Sequence, residues 1–317
     1  MPRTYDVLPF EKMDAKHYWQ LATGSDISYI QIPGNGDKKP FPILYLHGGP
    51  GGFIDESKVK RLAPLAEDGY DIYLYDQVGG GQSSRLNNID EYTPNRHKRD
   101  LEEIVKKIGA ERVLLIAQSW GAVLAVLFIA DNPEKVEKVV FTGPGPIPPV
   151  NVELAREKSP DSLDLRQPYF SNAEGNKKAG NLRAKAMRKW AELTGNKLAS
   201  DLEADMFMAF LNDELNKSTV CDTSFDIRTP VGSGFYSHIM TMKSFNLVED
   251  PRPVISSSQI PVLVMKGQCD NQKWGYTHEY LTLFQNHRLA VIRSAGHSIT
   301  TEQPAKYLQT IRDFLAE

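Results

Sequence analysis

The chain has 317 residues, 41% of them apolar and 24% charged, with a net charge of −3. That length suffices for one large core with an inserted smaller domain, or for two domains. The charge balance offers no basic field to nucleic acid or to an anionic membrane surface, and the longest apolar stretch, 122–130, is about half of the ~18 residues a membrane helix needs.

In chain order, two extended segments at 18–23 and 27–32 flank a Gly-Ser-Asp turn and predict a hairpin. A Pro/Gly/Asn loop follows at 33–37. The apolar run 43–46 reads as a strand ending in His47-Gly-Gly-Pro-Gly-Gly, and 71–75 as a strand ending in Asp76. Leu101, Ile104, Val105 and Ile108 recur at helical spacing over 98–108, and Gly109 stands where a C-cap belongs. A β-branched strand at 113–116 precedes 122–130, which is apolar on all sides as a buried helix requires, and 136–141 is a further strand. Strand and helix alternating in this way predict a parallel sheet covered on both faces.

From about 144 to 252 the alternation breaks. This stretch is rich in charge, Met and aromatics, and 177–215 predicts mostly helix. A strand at 260–265, a helix near 275–284, a strand at 289–292 and an amphipathic helix at 305–315 complete the chain. The simplest account is an α/β core over 1–145 and 253–317 with a helical cap inserted at 146–252. There is no internal repeat and no low-complexity tract.

The first residues show neither an apolar h-region nor a small-residue cleavage site, which predicts no signal peptide. Two cysteines, Cys221 and Cys269, are too few for a disulfide framework, so a reducing cytoplasm is expected, with the pairing of these two left open. The seven histidines form no metal-ligand spacing, and neither metal nor cofactor is expected.

The chemistry centres on Ala117-Gln118-Ser119-Trp120-Gly121, between the 113–116 strand and the 122–130 helix. Small residues two before and two after a serine at such a boundary let strand and helix approach closely, as in a nucleophile elbow. A serine hydroxyl needs a base to take its proton and a group to orient that base. His297 follows the 289–292 strand and Asp270 follows the 260–265 strand, both at the carboxyl ends of strands, where open α/β sheets place their sites. His297 is the candidate base and Asp270 its orienting carboxylate; Asp250, in a Pro-rich loop with no strand before it, is the runner-up. Negative charge on the attacked carbonyl oxygen needs backbone N–H donors. Those of Trp120 and of Gly48 or Gly49 are the candidates.

His47-Gly-Gly-Pro-Gly-Gly, then Asp76-Gln77-Val78-Gly79-Gly80-Gly81-Gln82-Ser83, then Gln118-Ser119-Trp120-Gly121 resemble the proline iminopeptidase family of α/β-hydrolases. The resemblance spans about 40–145 and returns at 260–300. It implies the α/β-hydrolase fold and a serine enzyme that removes an N-terminal residue, often proline, from short peptides, with cap carboxylates holding the free amine. The chain departs from the family at three places. Val78 replaces an arginine, Ala117-Gln118 precede the serine, and Ala191 stands after Trp190 where the amine-binding glutamate is expected. Glu192 is one position later, about 100° around a helix. Glu203, Asp205 and Glu214 are the substitutes the cap offers.

The cap also carries Met206, Phe207, Met208 and Phe210, then Phe235, Tyr236, Met240, Met242 and Phe245. Such side chains build helical cores or line adaptable apolar pockets. Met206, Phe207, Phe210, Phe235 and Tyr236 are the candidate substrate contacts. The expectation is a serine hydrolase of a carboxylic ester or lactone, including bulky macrolide-type lactones, acting without cofactor as a monomer or small homo-oligomer. Its partners are small-molecule esters, lactones or short peptides, with no nucleic acid and no membrane. The alternatives are an aminopeptidase and a non-catalytic binding protein on the same fold.

Overall fold

The computed structural model describes residues 7, 10–225 and 227–317. Residues 1–6, 8 and 9, on which the expectation of no signal peptide partly rests, lie outside the described residues.

Apolar residues at alternate positions build one sheet with two buried faces. Its strands are β1 (His17–Gln20), β2 (Asp26–Ile32), β3 (Ile43–Leu46), β4 (Ile72–Tyr75), β5 (Val113–Gln118), β6 (Val136–Thr142), β7 (Val262–Gly267) and β8 (His287–Ile292). The spatial order is β1-β2-β4-β3-β5-β6-β7-β8. β1 and β2 form the expected hairpin and β2 runs antiparallel to β4; every other pairing is parallel.

Period-2 alternation decides which face each side chain joins. Leu44, Leu115, Phe141 and Val264 pack on one face with helices α2 (Pro94–Ile108), α3 (Trp120–Asp131) and α9 (Trp274–Leu283). Ile43, Ile116, Val140 and Met265 pack on the other with α1 (Glu56–Leu62) and α11 (Pro304–Leu315). Helix α3 is buried from Trp120 to Ile129, as its unbroken apolar sequence demands. Gly109 ends α2 at φ 74°, a left-handed C-cap. The mostly parallel sheet covered on both faces is therefore as expected.

Between β6 and β7 no strand among the described residues joins the sheet. The chain there forms α4 (Asn172–Ala179), α5 (Leu182–Thr194), α6 (Asp201–Asn216), α7 (Phe235–Lys243) and the single turn α8 (Arg252–Ile255). A further single turn, α10 (Ile299–Glu302), precedes α11. Cys221 of the helical segment and Cys269, in the loop after β7, are joined in a disulfide. The pairing left open by the sequence is thus made. No helix among the described residues is long and apolar enough to cross a membrane.

Candidate active site

The turn from β5 into α3 places Ser119 at φ 54° and ψ −117°, a conformation L-residues rarely adopt. The Ser119 N–H donates to the Thr142 carbonyl of β6, and the Ser119 carbonyl accepts from the N–H groups of Ala122 and Gly145. These bonds over-determine the strained residue. Gly121 has no alternative there: a Cβ would stand 2.0 Å from the Leu46 carbonyl oxygen of β3. This is the close strand-to-helix approach that small flanking residues signal.

The loops after β7 and β8 bring Asp270 to His297, Oδ1 to Nδ1 at 2.9 Å. Oδ1 also accepts from the Gln272 N–H at 3.0 Å. The loops are tied to each other, since the Gln268 N–H donates to Ile292 and the Cys269 N–H to Ala295. Asp250, the alternative carboxylate, is exposed and paired with Arg252.

Asp270 has a cationic neighbour that sequence reasoning did not single out. Lys266, 2% exposed at the end of β7, donates to the Gln272 carbonyl at 3.0 Å and sits 3.5 Å from Asp270 Oδ2. Burial by itself would raise the Asp270 pKa. Lys266 first and His297 second outweigh burial and hold the carboxyl well below the usual carboxylate range. The residue therefore remains an acceptor-only carboxylate, the state that fixes Nδ1–H of a partner imidazole.

The glycine loop after β3 lies against the serine. A Cβ at Gly48 would come within 3.3 Å of Ser119 Cβ and 3.8 Å of its Oγ. His47 sets this loop's orientation. Its Nδ1–H donates to the Gly48 carbonyl at 2.8 Å, and burial lowers its pKa to about 4, so the ring is neutral at pH 7. The Gly48–Gly49 peptide is trans, so with the carbonyl on the imidazole the Gly49 N–H points the opposite way. Gln77 braces both the glycine loop and the start of α3. Its Oε1 accepts from Gly51 N–H and from Trp120 Nε1, each at 3.1 Å, and its Nε2 donates to the His47 carbonyl.

Ser119, His297, Gly48 and Gly49 line one cavity of about 330 Å³. Across from them the helical segment contributes Met208, Asn212, Leu215 and Asn216, one face of α6 at helical spacing, and His238 of α7. His238 is held neutral by burial, its pKa lowered to about 4. Of the cap residues singled out from sequence, Met206, Phe207, Phe210, Phe235 and Tyr236 do not line this cavity. Phe210 is exposed. Phe235 and Tyr236 are buried in the packing of the helical segment, where the Tyr236 hydroxyl bonds to Ala199 and Leu198. Period 3.6 shows that a helix has an inner face but not which of two apolar arcs is inner, so Met208 was legible only as one Met among several.

Among the described residues no Asp or Glu lines the cavity. The carboxylates weighed as amine ligands are engaged elsewhere: Glu192 with Arg188, Glu203 with Arg183, Asp205 with Arg85 at 2.8 Å and with the Phe235 N–H, and Glu214 with Lys217. Ala191 is fully buried.

The family described as alpha/beta hydrolase fold matches residues 42–304. A proline iminopeptidase of Heyndrickxia coagulans is 24% identical over 295 residues, covering 92% of this chain and 96% of that one. One from Lactobacillus helveticus is 35% identical over 118 residues, covering 36% and 39%. An esterase from Thermogutta terrifontis superposes with a TM-score of 0.65 at 17% identity, over 95% of this chain and 98% of the other. The chain is a member of the α/β-hydrolase fold family, with proline iminopeptidases among its distant relatives.

Proposed function

We propose that the protein is a serine hydrolase of a carboxylic ester or lactone. Ser119 Oγ attacks the carbonyl carbon while His297 takes its proton and Asp270 holds the imidazolium. The N–H groups of Trp120 and of Gly48 or Gly49 stabilise the oxyanion, a donor being worth ~2.7–4 kcal/mol in such sites. His297 returns the proton to the leaving oxygen. Water, activated by the same histidine, then cleaves the acyl-enzyme to free acid and Ser119. Residues 146–252 act as the cap, with Met208, Asn212 and His238 closing the cavity over the serine.

The observation that carries this reading is that, among the described residues, no carboxylate lines the cavity. An aminopeptidase must hold a substrate ammonium, and a buried ammonium without a carboxylate partner is costly. The second reading, release of an N-terminal residue from short peptides, draws on the names of the relatives, and the paired state of Glu192, Glu203, Asp205 and Glu214 speaks against it. A non-catalytic binding protein would not need Ser119, His297 and Asp270 together with their supports.

The substrate inferred from an apolar cap needs revision. Met208 and Leu215 face the cavity, but so do Asn212, Asn216, Thr219, Ser233 and His238. These groups suit an oxygen-rich ester or lactone better than a wholly apolar one. A panel of aryl esters, macrocyclic lactones and N-terminal prolyl amides is the test. Esters or lactones are expected to be turned over fastest, and turnover of the prolyl amide faster by orders of magnitude overturns the reading.

A further inference from the structure

A second cavity, of about 190 Å³, adjoins the one at Ser119 and shares Lys58, Gln118, Asn216, Thr229 and Ser298 with it. Beyond the shared wall it is lined by Arg61 from the last turn of α1 and by Arg228. Among the described residues the only carboxylate in its lining is Asp55, which caps α1 and is bound by the Lys58 ammonium. Arg228 is 74% exposed at its side chain and lies 3.8 Å from Asp213. Arg61 is different. It is half-buried, and it makes no hydrogen bond or ion pair among the described residues.

Gln118 stands between the two cavities, directly before the nucleophile. Its Oε1 accepts from the Tyr45 hydroxyl at 2.7 Å, which leaves its two amide N–H donors without a protein partner among the described residues. Among the described residues, one concave wall thus presents an unpaired guanidinium and, from the residue before the serine, an unpaired amide. A guanidinium fork matches the two oxygens of a carboxylate, and such charge-assisted bonds are the strong ones.

We infer that the cavity walled by Arg61 and Gln118 is a second subsite that takes a carboxylate carried on one arm of the substrate. The inference rests on the ester reading and narrows it: the substrate is an ester or lactone with a carboxylate at a fixed reach from the scissile carbonyl. The Arg61 guanidinium holds the carboxylate, and the Gln118 amide donates to acceptor atoms of the arm between them.

The experiment compares p-nitrophenyl half-esters of dicarboxylic acids, from adipate to sebacate, with neutral p-nitrophenyl alkanoates of equal chain length. It uses the full chain and its Arg61→Gln and Arg61→Glu variants, with circular dichroism to confirm folding. The wild type is expected to favour the half-ester at one chain length by roughly tenfold or more in kcat/KM, the advantage shrinking with added salt. Arg61→Gln should bring the half-ester to alkanoate ratio near one, and Arg61→Glu should invert it. A ratio that is the same in all three proteins, with alkanoates hydrolysed, overturns the subsite and leaves the ester reading standing. Failure of the folded wild type to hydrolyse either series overturns both.

Discussion

The loops at the carboxyl ends of the strands and the face of α6 opposite them wall the same cavity, yet their sequences carry very different amounts of information. Ser119 sits at φ 54° with Gly121 against the Leu46 carbonyl, so backbone sterics alone restrict which residues can stand there. Asp270 and His297 each follow a strand by a few residues, so strand periodicity places them. The lining of α6 depends on how a helix is rotated against a core made elsewhere in the chain. The Met208, Asn212, Leu215 and Asn216 arc is inward, and the Phe207 and Phe210 side chains lie outside the cavity lining. The strand-end turns are written locally; the helix face opposite them is set by tertiary packing.

That contrast yields predictions of graded size. Ser119→Ala should lower kcat by roughly 10⁴-fold or more on any substrate, measured in steady state, with the fold intact by circular dichroism. Asp270→Asn should cost roughly 10²–10⁴-fold, because the amide presents the wrong hydrogen-bonding group to His297 Nδ1. A loss under tenfold would show that Asp270 is a turn residue only. On the other side of the cavity, Met208→Ala should change KM and substrate ranking more than the rate of the best small aryl ester, by several-fold rather than by decades. If it matched Asp270→Asn in depth, the division between chemistry and lining would fail.

Lys266 gives the comparison a pH readout. Lys266→Met removes the largest charge that offsets the burial of Asp270, so the Asp270 pKa should rise, and Lys266→Arg should bring it back down. The sign for stability follows from the depressed Asp270 pKa. In the wild type its contribution is present above the ordinary carboxylate range and is lost as pH falls well below that range. The Met variant should lose it sooner on acidification, seen as a melting temperature that drops at higher pH. An unmoved pH dependence of the melting temperature would reduce Lys266 to packing. The smallest expected effect is that of Ala191→Glu: position 191 is fully buried, so a glutamate there should destabilise the helical segment without conferring turnover of a prolyl amide.

Much of the fold was legible because its signals are periodic. Alternation in β3, β5, β6 and β7 assigns residues to opposite faces, and the apolar run of α3 could only be buried. What escaped sequence reading is what depends on contacts across the chain. His47 directly follows a strand, but its role in turning the Gly48 peptide appears only once Gly48 and Ser119 are adjacent. Lys266 reads as the residue just after the 260–265 strand, and its charge matters because Asp270, four residues on, folds back beside it. The Cys221–Cys269 bridge joins positions 48 apart in sequence whose approach requires the helical segment to be docked.

The most direct test of the central claim is to trap the acyl-enzyme. An aryl ester with a slowly released acyl group is mixed with the protein, quenched in acid, digested and mapped by mass spectrometry. The account predicts one acyl adduct, on the Ser119 side chain, absent from Ser119→Ala and accumulating in a burst equal to the enzyme concentration. An adduct on another residue, or turnover that persists in Ser119→Ala, contradicts it.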